Sequence, residues 1–578
     1  MSARTPERPD RLDRRDWFRQ TATLAGGAAV PLLAGACASS EPSSSPAVPA
    51  ATSGPIIVAP NDGNTVETRS GRVRGFVRQG IFTFKGVPYA ASTAGANSFV
   101  PPVIPEPWDG VRSAMALGLA CPQPFHVPEG RRAGWSHDEE AFMFEWDDGR
   151  PGEDCLCVNV WTPGLDAINR RPVMVWIHGG DYTSGSAGEL RMYDGESLAR
   201  RGDVVVVSLN HRLGPLGYMN LIGYGARWAD AANLGQLDII AALEWVRDNI
   251  DRFGGDPSNV TVFGQSGGGG KISTLMGMPA ARGLFHRAIV QSGSIMRQAT
   301  PDQSAALADA TLRELGIGRA SVDRLQHVAV DEIIRAGLRA RQRLQPVTPP
   351  PGTPGAINWG PTVDGRAVPE PVWNSAAPEV TAAVPMIIGT TLHEFGNSVQ
   401  SGDPALDAMS FEEAQARLSA SYGEKAQAII DLFQQKVRGI SPAEIVCRAS
   451  GLSWRINAVR QASLKAAQRS APAFLYLFQW TTPVLDGRPR AYHCAELPFV
   501  FANADRCAAM TGGGGDARTL EAQMANAWIA FAHTGSPDHP DLPAWPIFTD
   551  ADCPTMVFDN RCMVSRNGDR EARELFES

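Results

Sequence analysis

The chain alternates short apolar runs with stretches whose apolar residues recur every three or four positions. Residues 173–177 and 204–209 are almost unbroken apolar runs of strand length, the pattern of strands covered on both faces. Ile239, Leu243, Val246 and Ile250 then recur at helical spacing, and Phe253-Gly254-Gly255-Asp256-Pro257 supplies the stop. A strand over 260–263 follows, then a helix over about 268–278, and further strands at 287–291, 386–389 and 474–478. This alternation predicts an α/β fold, a mainly parallel central sheet with helices on both faces. Residues 300–380 read as helical and then loop-rich, with 346–354 too dense in proline for a regular element. They form either part of a cap built from insertions or a surface insertion.

The N-terminus departs from this pattern. Arg14-Arg15-Asp16-Trp17-Phe18 precedes an uncharged, modestly apolar stretch over 21–36, which resembles a twin-arginine export signal. The stretch is shorter and less apolar than the roughly 20 residues a membrane span needs. Ala34-Gly35-Ala36 fits a cleavage site. Leu33 to Cys37 loosely resembles a lipoprotein box, but the leucine lies four residues before the cysteine where three is usual. A soluble exported form is favoured, with a lipid anchor at Cys37 left open. The expected organisation is a signal over 1–36, a Ser/Pro/Ala-rich spacer over 37–60, and one α/β domain over 61–578.

Composition narrows the function. Hydrophobic residues make up 43% and charged residues 20% of the 578, ordinary for a globular core. The net charge of -8 argues against nucleic acid as a partner, and removing 1–36 discards more basic than acidic residues. The nine cysteines show no paired C-x-x-C spacing of a zinc site. Cys155 and Cys157 alternate on what reads as a strand and so point to opposite faces.

The chemistry-bearing motif is Gly264-Gln265-Ser266-Gly267-Gly268, set between the 260–263 strand and a helix. In that context G-x-S-x-G forms a nucleophile elbow, a sharp turn that lifts the serine hydroxyl out of the sheet. Such a pentapeptide arises by chance in a chain with 58 glycines, and 267–270 would also suit a flexible turn. A phosphate loop fails on spacing, because Gln265 and Ile272 stand where glycine and a hydroxyl residue are required. A nucleophilic serine needs a histidine to take its proton and an acid to orient that histidine. Chain order leaves His286, His327, His393, His493, His533 and His539 all open.

Glu153-Asp154-Cys155-Leu156, Asn210-His211-Arg212-Leu213-Gly214, Asp251-Arg252-Phe253-Gly254-Gly255-Asp256-Pro257 and the elbow together resemble the type-B carboxylesterase family, relatives of cholinesterases. The resemblance runs from about residue 66 to Pro543-Ala544-Trp545-Pro546. It implies an α/β-hydrolase fold and a serine esterase that needs no metal or organic cofactor and acts on a small-molecule ester. Gly389-Thr390-Thr391-Leu392-His393-Glu394 resembles the family's G-T-N-x-x-E segment, which implies Glu394 as the acid, with Asp364 as the alternative. His493 precedes Glu496-Leu497-Pro498-Phe499-Val500-Phe501, as the family's histidine precedes E-L-P-[FY]-V-F, and His393 becomes a loop or pocket residue. His178-Gly179-Gly180-Asp181-Tyr182 resembles the family's H-G-G-G-F loop, which implies Gly180, Asp181 and Gly267 as oxyanion donors.

Two residues depart from the family pattern: Asp181 replaces a glycine, and Gln265 replaces the usual glutamate. Only the Asp181 backbone N–H is expected to face the site. The resemblance also implies a disulfide between Cys121 and Cys155, with Cys494–Cys507 and Cys553–Cys562 as further candidate pairs. Two rival readings share the fold: a binding protein that has lost the triad, and an amidase or thioesterase using the same site.

Overall fold

The structure, a computed structural model, describes residues 55–126, 138–345, 357–401 and 403–577. The export signal, Cys37, most of the spacer and the proline-dense 346–354 stretch lie outside the described residues. The core follows from the apolar runs. Val173, Val175 and Ile177 bury into one apolar cluster, while Met174 and Trp176 bury into another on the opposite sheet face. Val205, Val207 and Leu209 against Val206 do the same. A strand whose every residue is buried has no polar side to show, so the run is continuous. Each such side chain contributes roughly 1.5–3 kcal/mol by leaving water.

Among the described residues these runs belong to a 12-stranded sheet. Val205–Leu209, Arg171–Ile177, Gly255–Gln265, Arg287–Gln291, Met386–Thr391, Ala473–Phe478 and Thr555–Phe558 lie side by side in that order, all parallel. Antiparallel strands close the two edges. One of them, Ile57–Val58, falls within the stretch expected to be spacer and pairs with Phe76–Arg78. The strand expected to carry Cys155 begins later, as Cys157–Thr162. After Arg171–Ile177 the chain crosses to Val205–Leu209 on one side, then returns to Gly255–Gln265 on the other. Strand order therefore reverses at this point, opening a crevice between the carboxyl ends of Arg171–Ile177 and Gly255–Gln265.

The periodic stretch is the helix Leu234–Asn249, which buries Ile239, Leu243 and Val246 against the sheet. Gly254, at φ +76°, turns the chain into the next strand. The helix also explains why Arg212 lies in an apolar setting. Its guanidinium, 2% exposed, donates to Asp238 Oδ1 at 2.6 Å and Oδ2 at 2.8 Å. The backbone N–H of Arg212 donates to Oδ2 as well, at 2.9 Å. The helices Pro301–Glu314 and Val330–Leu344 bury Leu307, Leu312 and Ile333 in the same cluster as the sheet. These two helices of the 300–380 segment are thus anchored to the core.

One expectation is corrected. The eight cysteines of the described residues are free and buried, so Cys121 and Cys155 form no disulfide. They are neighbouring thiols joined by a hydrogen bond, which with burial pushes the Cys155 thiol well up. Cys494, Cys507, Cys553 and Cys562 are likewise unbridged. Among the described residues no helix is long and apolar enough to cross a membrane.

Removing one partner of a buried ion pair strands the other charge, at a cost of about 3–5 kcal/mol. Arg212→Met is therefore expected to lower unfolding stability by that amount in urea denaturation. Arg212→Met combined with Asp238→Leu should recover most of the loss.

Candidate active site

At the crevice the strand Gly255–Gln265 ends in Ser266, and the helix Gly267–Leu275 begins. Ser266 has φ 57° and ψ -126°, a conformation that costs on the order of 1–3 kcal/mol and persists only where surroundings enforce it. They do so by close backbone approach. A Cβ on Gly268 would lie 2.0 Å from the Ile177 carbonyl, and one on Gly264 would lie 2.7 Å from the same atom. The Ser266 N–H donates to the Gln291 carbonyl at 2.8 Å, which ties the turn to the adjacent strand. Ser266 is half-buried among buried neighbours, so the turn presents it to the crevice.

Glu394 and His493 meet beside this turn. The His493 imidazole is 1% exposed, and its Nδ1 hydrogen-bonds Glu394 Oε2. The other oxygen, Oε1, accepts from Ser292 Oγ at 2.8 Å and from the Thr391 N–H at 3.0 Å. The His493 N–H in turn donates to the Glu394 carbonyl at 3.0 Å. The imidazole's far nitrogen, Nε2, lies 3.0 Å from Gln265 Nε2, next to Ser266 in the chain. An amide nitrogen only donates, so His493 Nε2 accepts and the ring proton sits on Nδ1 toward Glu394. Cys494 supports that amide orientation, its thiol donating to Gln265 Oε1 at 3.3 Å. Replacing the family's glutamate by Gln265 thus places a donor where a carboxylate would have put an acceptor.

His393 and Asp364 are engaged elsewhere. His393 Nε2 pairs with Glu444 Oε1 at 2.9 Å, and its Nδ1 accepts from the Ala491 N–H at 3.2 Å. Asp364 accepts from Asn233 Nδ2 at 2.8 Å and from the N–H groups of Arg366 and Val368 at 2.9 Å, closing its own turn.

The loop after Arg171–Ile177 faces the start of the helix Gly267–Leu275, where a Cβ on Gly267 would lie 2.1 Å from the Asp181 carbonyl. Gly180 at φ +77° and Asp181 at φ +55° are both left-handed. Among the described residues the N–H groups of Gly180, Asp181 and Gly267 have no protein acceptor. Asp181 Oδ2 instead accepts from Asn358 Nδ2 at 2.6 Å. Burial pushes this carboxyl up, and the nearby Lys271 and Arg341 cations pull against it.

Sequence reasoning missed several residues. Ser292 directly follows the strand Arg287–Gln291, where functional groups collect at strand carboxyl ends, and that rule could have found it. Phe395 and Trp454 set their rings 4.1 and 5.5 Å from the His493 imidazole. Phe395 directly follows Glu394, but nothing near Trp454 in the chain marks it. Lys271, a lone charge in an apolar helix start, was visible.

A mostly parallel sheet with a strained serine turn at its switch point defines an α/β hydrolase. The chain belongs to the carboxylesterase family, whose model matches residues 62–575, and it is a carboxylic ester hydrolase. It is 36% identical to a para-nitrobenzyl esterase of Bacillus subtilis (strain 168), over 89% of this chain and 98% of that protein. It is 34% identical to a phenmedipham hydrolase of Pseudarthrobacter oxydans, over 88% and 96% respectively. A solved esterase from anaerobic Clostridium hathewayi, described as able to hydrolyse aliphatic aromatic polyesters, superposes with a TM-score of 0.76. That structure shares 35% identity and covers 90% of this chain and 99% of its own.

Close to His493 lies a second carboxyl, Glu496. It accepts from Gln291 Nε2 at 3.2 Å through Oε1, while its buried Oε2 has no partner among the described residues. Burial pushes it up from 4.5 to about 8, helped by the neighbouring Glu394 charge. Between those values the folded chain holds a proton that the unfolded chain releases, so this group removes stability as pH rises through the window. Glu496→Gln should therefore match the wild type near pH 4.5. It should become progressively more stable than the wild type toward pH 8, read as the difference in melting temperature across that range.

Proposed function

We propose that the chain is an exported serine carboxylesterase working through an acyl-enzyme, with Ser266 as nucleophile, His493 as general base and acid, and Glu394 as orienting acid. The observation that carries this reading is the imidazole held between Glu394 on Nδ1 and the Gln265–Ser266 turn on Nε2. The Ser266 hydroxyl adds to the ester carbonyl as its proton passes to His493 Nε2. The tetrahedral oxyanion takes hydrogen bonds from the N–H groups of Gly180, Asp181 and Gly267. Collapse expels the alcohol, which receives the proton from Nε2. Water, deprotonated by His493, then attacks the acyl-serine; release of the acid restores the hydroxyl. Glu394 keeps the ring proton on Nδ1 and stabilises the imidazolium in each half. The Phe395 and Trp454 rings beside His493 favour esters with an apolar or aryl portion.

Small aryl esters are the first substrates to test. Ser266→Ala is expected to lower kcat by at least about 10⁴-fold, and Glu394→Gln by about 10³–10⁴-fold with KM little changed. An organophosphonate should label the wild type and not Ser266→Ala, as mass spectrometry of the intact protein reads; an unlabelled wild type would overturn Ser266 as the nucleophile.

Export rests on Arg14-Arg15-Asp16-Trp17-Phe18 and the uncharged stretch behind it. In a bacterial host with a twin-arginine pathway, the full chain should fractionate outside the cytoplasm. The pair Arg14→Lys and Arg15→Lys should hold it inside.

A further inference from the structure

We propose that Lys271 is a positioning residue that sets the direction of the oxyanion donors, and that Asp181 stands beside the oxyanion site as its counter-charge. This rests on the roles given above to Ser266 and the loop. Lys271 lies on the helix Gly267–Leu275, one turn beyond Gly267, and is 0% exposed. Its Nζ donates to the carbonyls of His178 at 3.0 Å and Gly179 at 3.3 Å. The next carbonyl, of Gly180, accepts from the Ser184 N–H and Oγ, each at 3.0 Å.

These contacts dictate where the N–H groups aim. A trans peptide is planar, so the carbonyl of one residue and the N–H of the next point in opposite directions. The Gly179 carbonyl also lies 3.0 Å from His178 Nδ1, and holding it between that ring and Lys271 turns the Gly180 N–H away from the lysine. Holding the Gly180 carbonyl on Ser184 turns the Asp181 N–H away from Ser184. The third donor, Gly267, belongs to the helix that carries Lys271, so one rigid element fixes two of the three donors.

A lysine is a costly way to fill apolar space. Burial drives this ammonium down to about 7, and the charges that pull it back are Asp181 and Glu189. The other titratable groups facing it offer no negative charge. His178 and His211 stack with ring centres 4.7 Å apart, and burial holds both well below the usual imidazole range. The Tyr182 ring centre lies 5.9 Å from Nζ, and burial holds its phenol neutral. Asp181, with Glu189 behind it, is therefore the residue that most compensates Lys271. Conversely, Lys271 and the Asn358 amide draw the Asp181 carboxylate's field away from a developing oxyanion. The glycine replaced in the family loop and the lysine in the helix are two halves of one arrangement.

The test uses Lys271→Met and the double variant Lys271→Met/Asp181→Asn, which removes the Lys271 and Asp181 charges together and so guards against a failure to fold. Oxyanion donors act in the transition state. Both variants should therefore show kcat lowered about 10- to 100-fold with KM within about threefold. Affinity for a trifluoromethyl ketone, whose adduct carries the oxyanion, should fall in proportion. Wild-type kcat and ketone affinity in a folded variant, or a loss confined to KM, would overturn the assignment. Organophosphonate labelling of the wild type separates the two levels. If it fails, the triad reading falls; if it succeeds while the double variant keeps wild-type kinetics, only the role of Lys271 falls.

Discussion

The site depends on a steric constraint: two strand ends approach so closely that no Cβ fits between them. The Ile177 carbonyl sits where side chains on Gly264 and Gly268 would begin, and the Asp181 carbonyl where one on Gly267 would begin. The strained Ser266 backbone is held by this crowding and by one hydrogen bond to the strand Arg287–Gln291. Because the strand order reverses there, the 178–182 loop and the elbow follow neighbouring strands and meet although the strand Val205–Leu209 and the helix Leu234–Asn249 lie between them in the chain. The glycines permit a contact that the topology demands.

Around that contact the structure limits free charge. Gln265 puts a neutral amide where relatives of this family usually carry a carboxylate, and the amide engages His493 and Cys494 together. Glu496 is pushed up to about 8 by burial, so near neutrality it is mostly a neutral acid. Asp181 is half-buried, bonded to Asn358, and feels the Lys271 cation. In a low-dielectric crevice each bare anion would oppose the oxyanion that ester hydrolysis generates.

Much of the fold was legible, for a physical reason. The strands Arg171–Ile177 and Val205–Leu209 are buried on both faces, so their apolar runs are unbroken, and the helix Leu234–Asn249 faces the sheet on one side, so its pattern is periodic. The edges were less legible because half-exposed strands such as Phe76–Arg78 carry mixed residues; Ile57–Val58 is exposed and only two residues long, too short to mark a strand. At the site, Ser266, Glu394 and His493 could be named because short motifs fix their backbone. Ser292 and Trp454 reach the same point from distant segments, through side chains that local sequence does not mark. The Cys121–Cys155 expectation placed the two residues together correctly, but proximity alone does not oxidise them, and they remain thiols.

The aromatic pair over His493 divides the site into parts with unequal freedom to change. The elbow and its facing loop are sterically saturated, so almost any substitution there meets backbone. Phe395 and Trp454 are only partly buried and lie tilted beside the imidazole, at 31° and 53° to its plane, where smaller or differently shaped side chains meet no backbone constraint of the elbow's kind. Diversification of this scaffold toward new esters, in nature or in the laboratory, has an open route through those two rings and a closed one through the glycines. The catalytic geometry can then be inherited unchanged while the acceptable ester drifts.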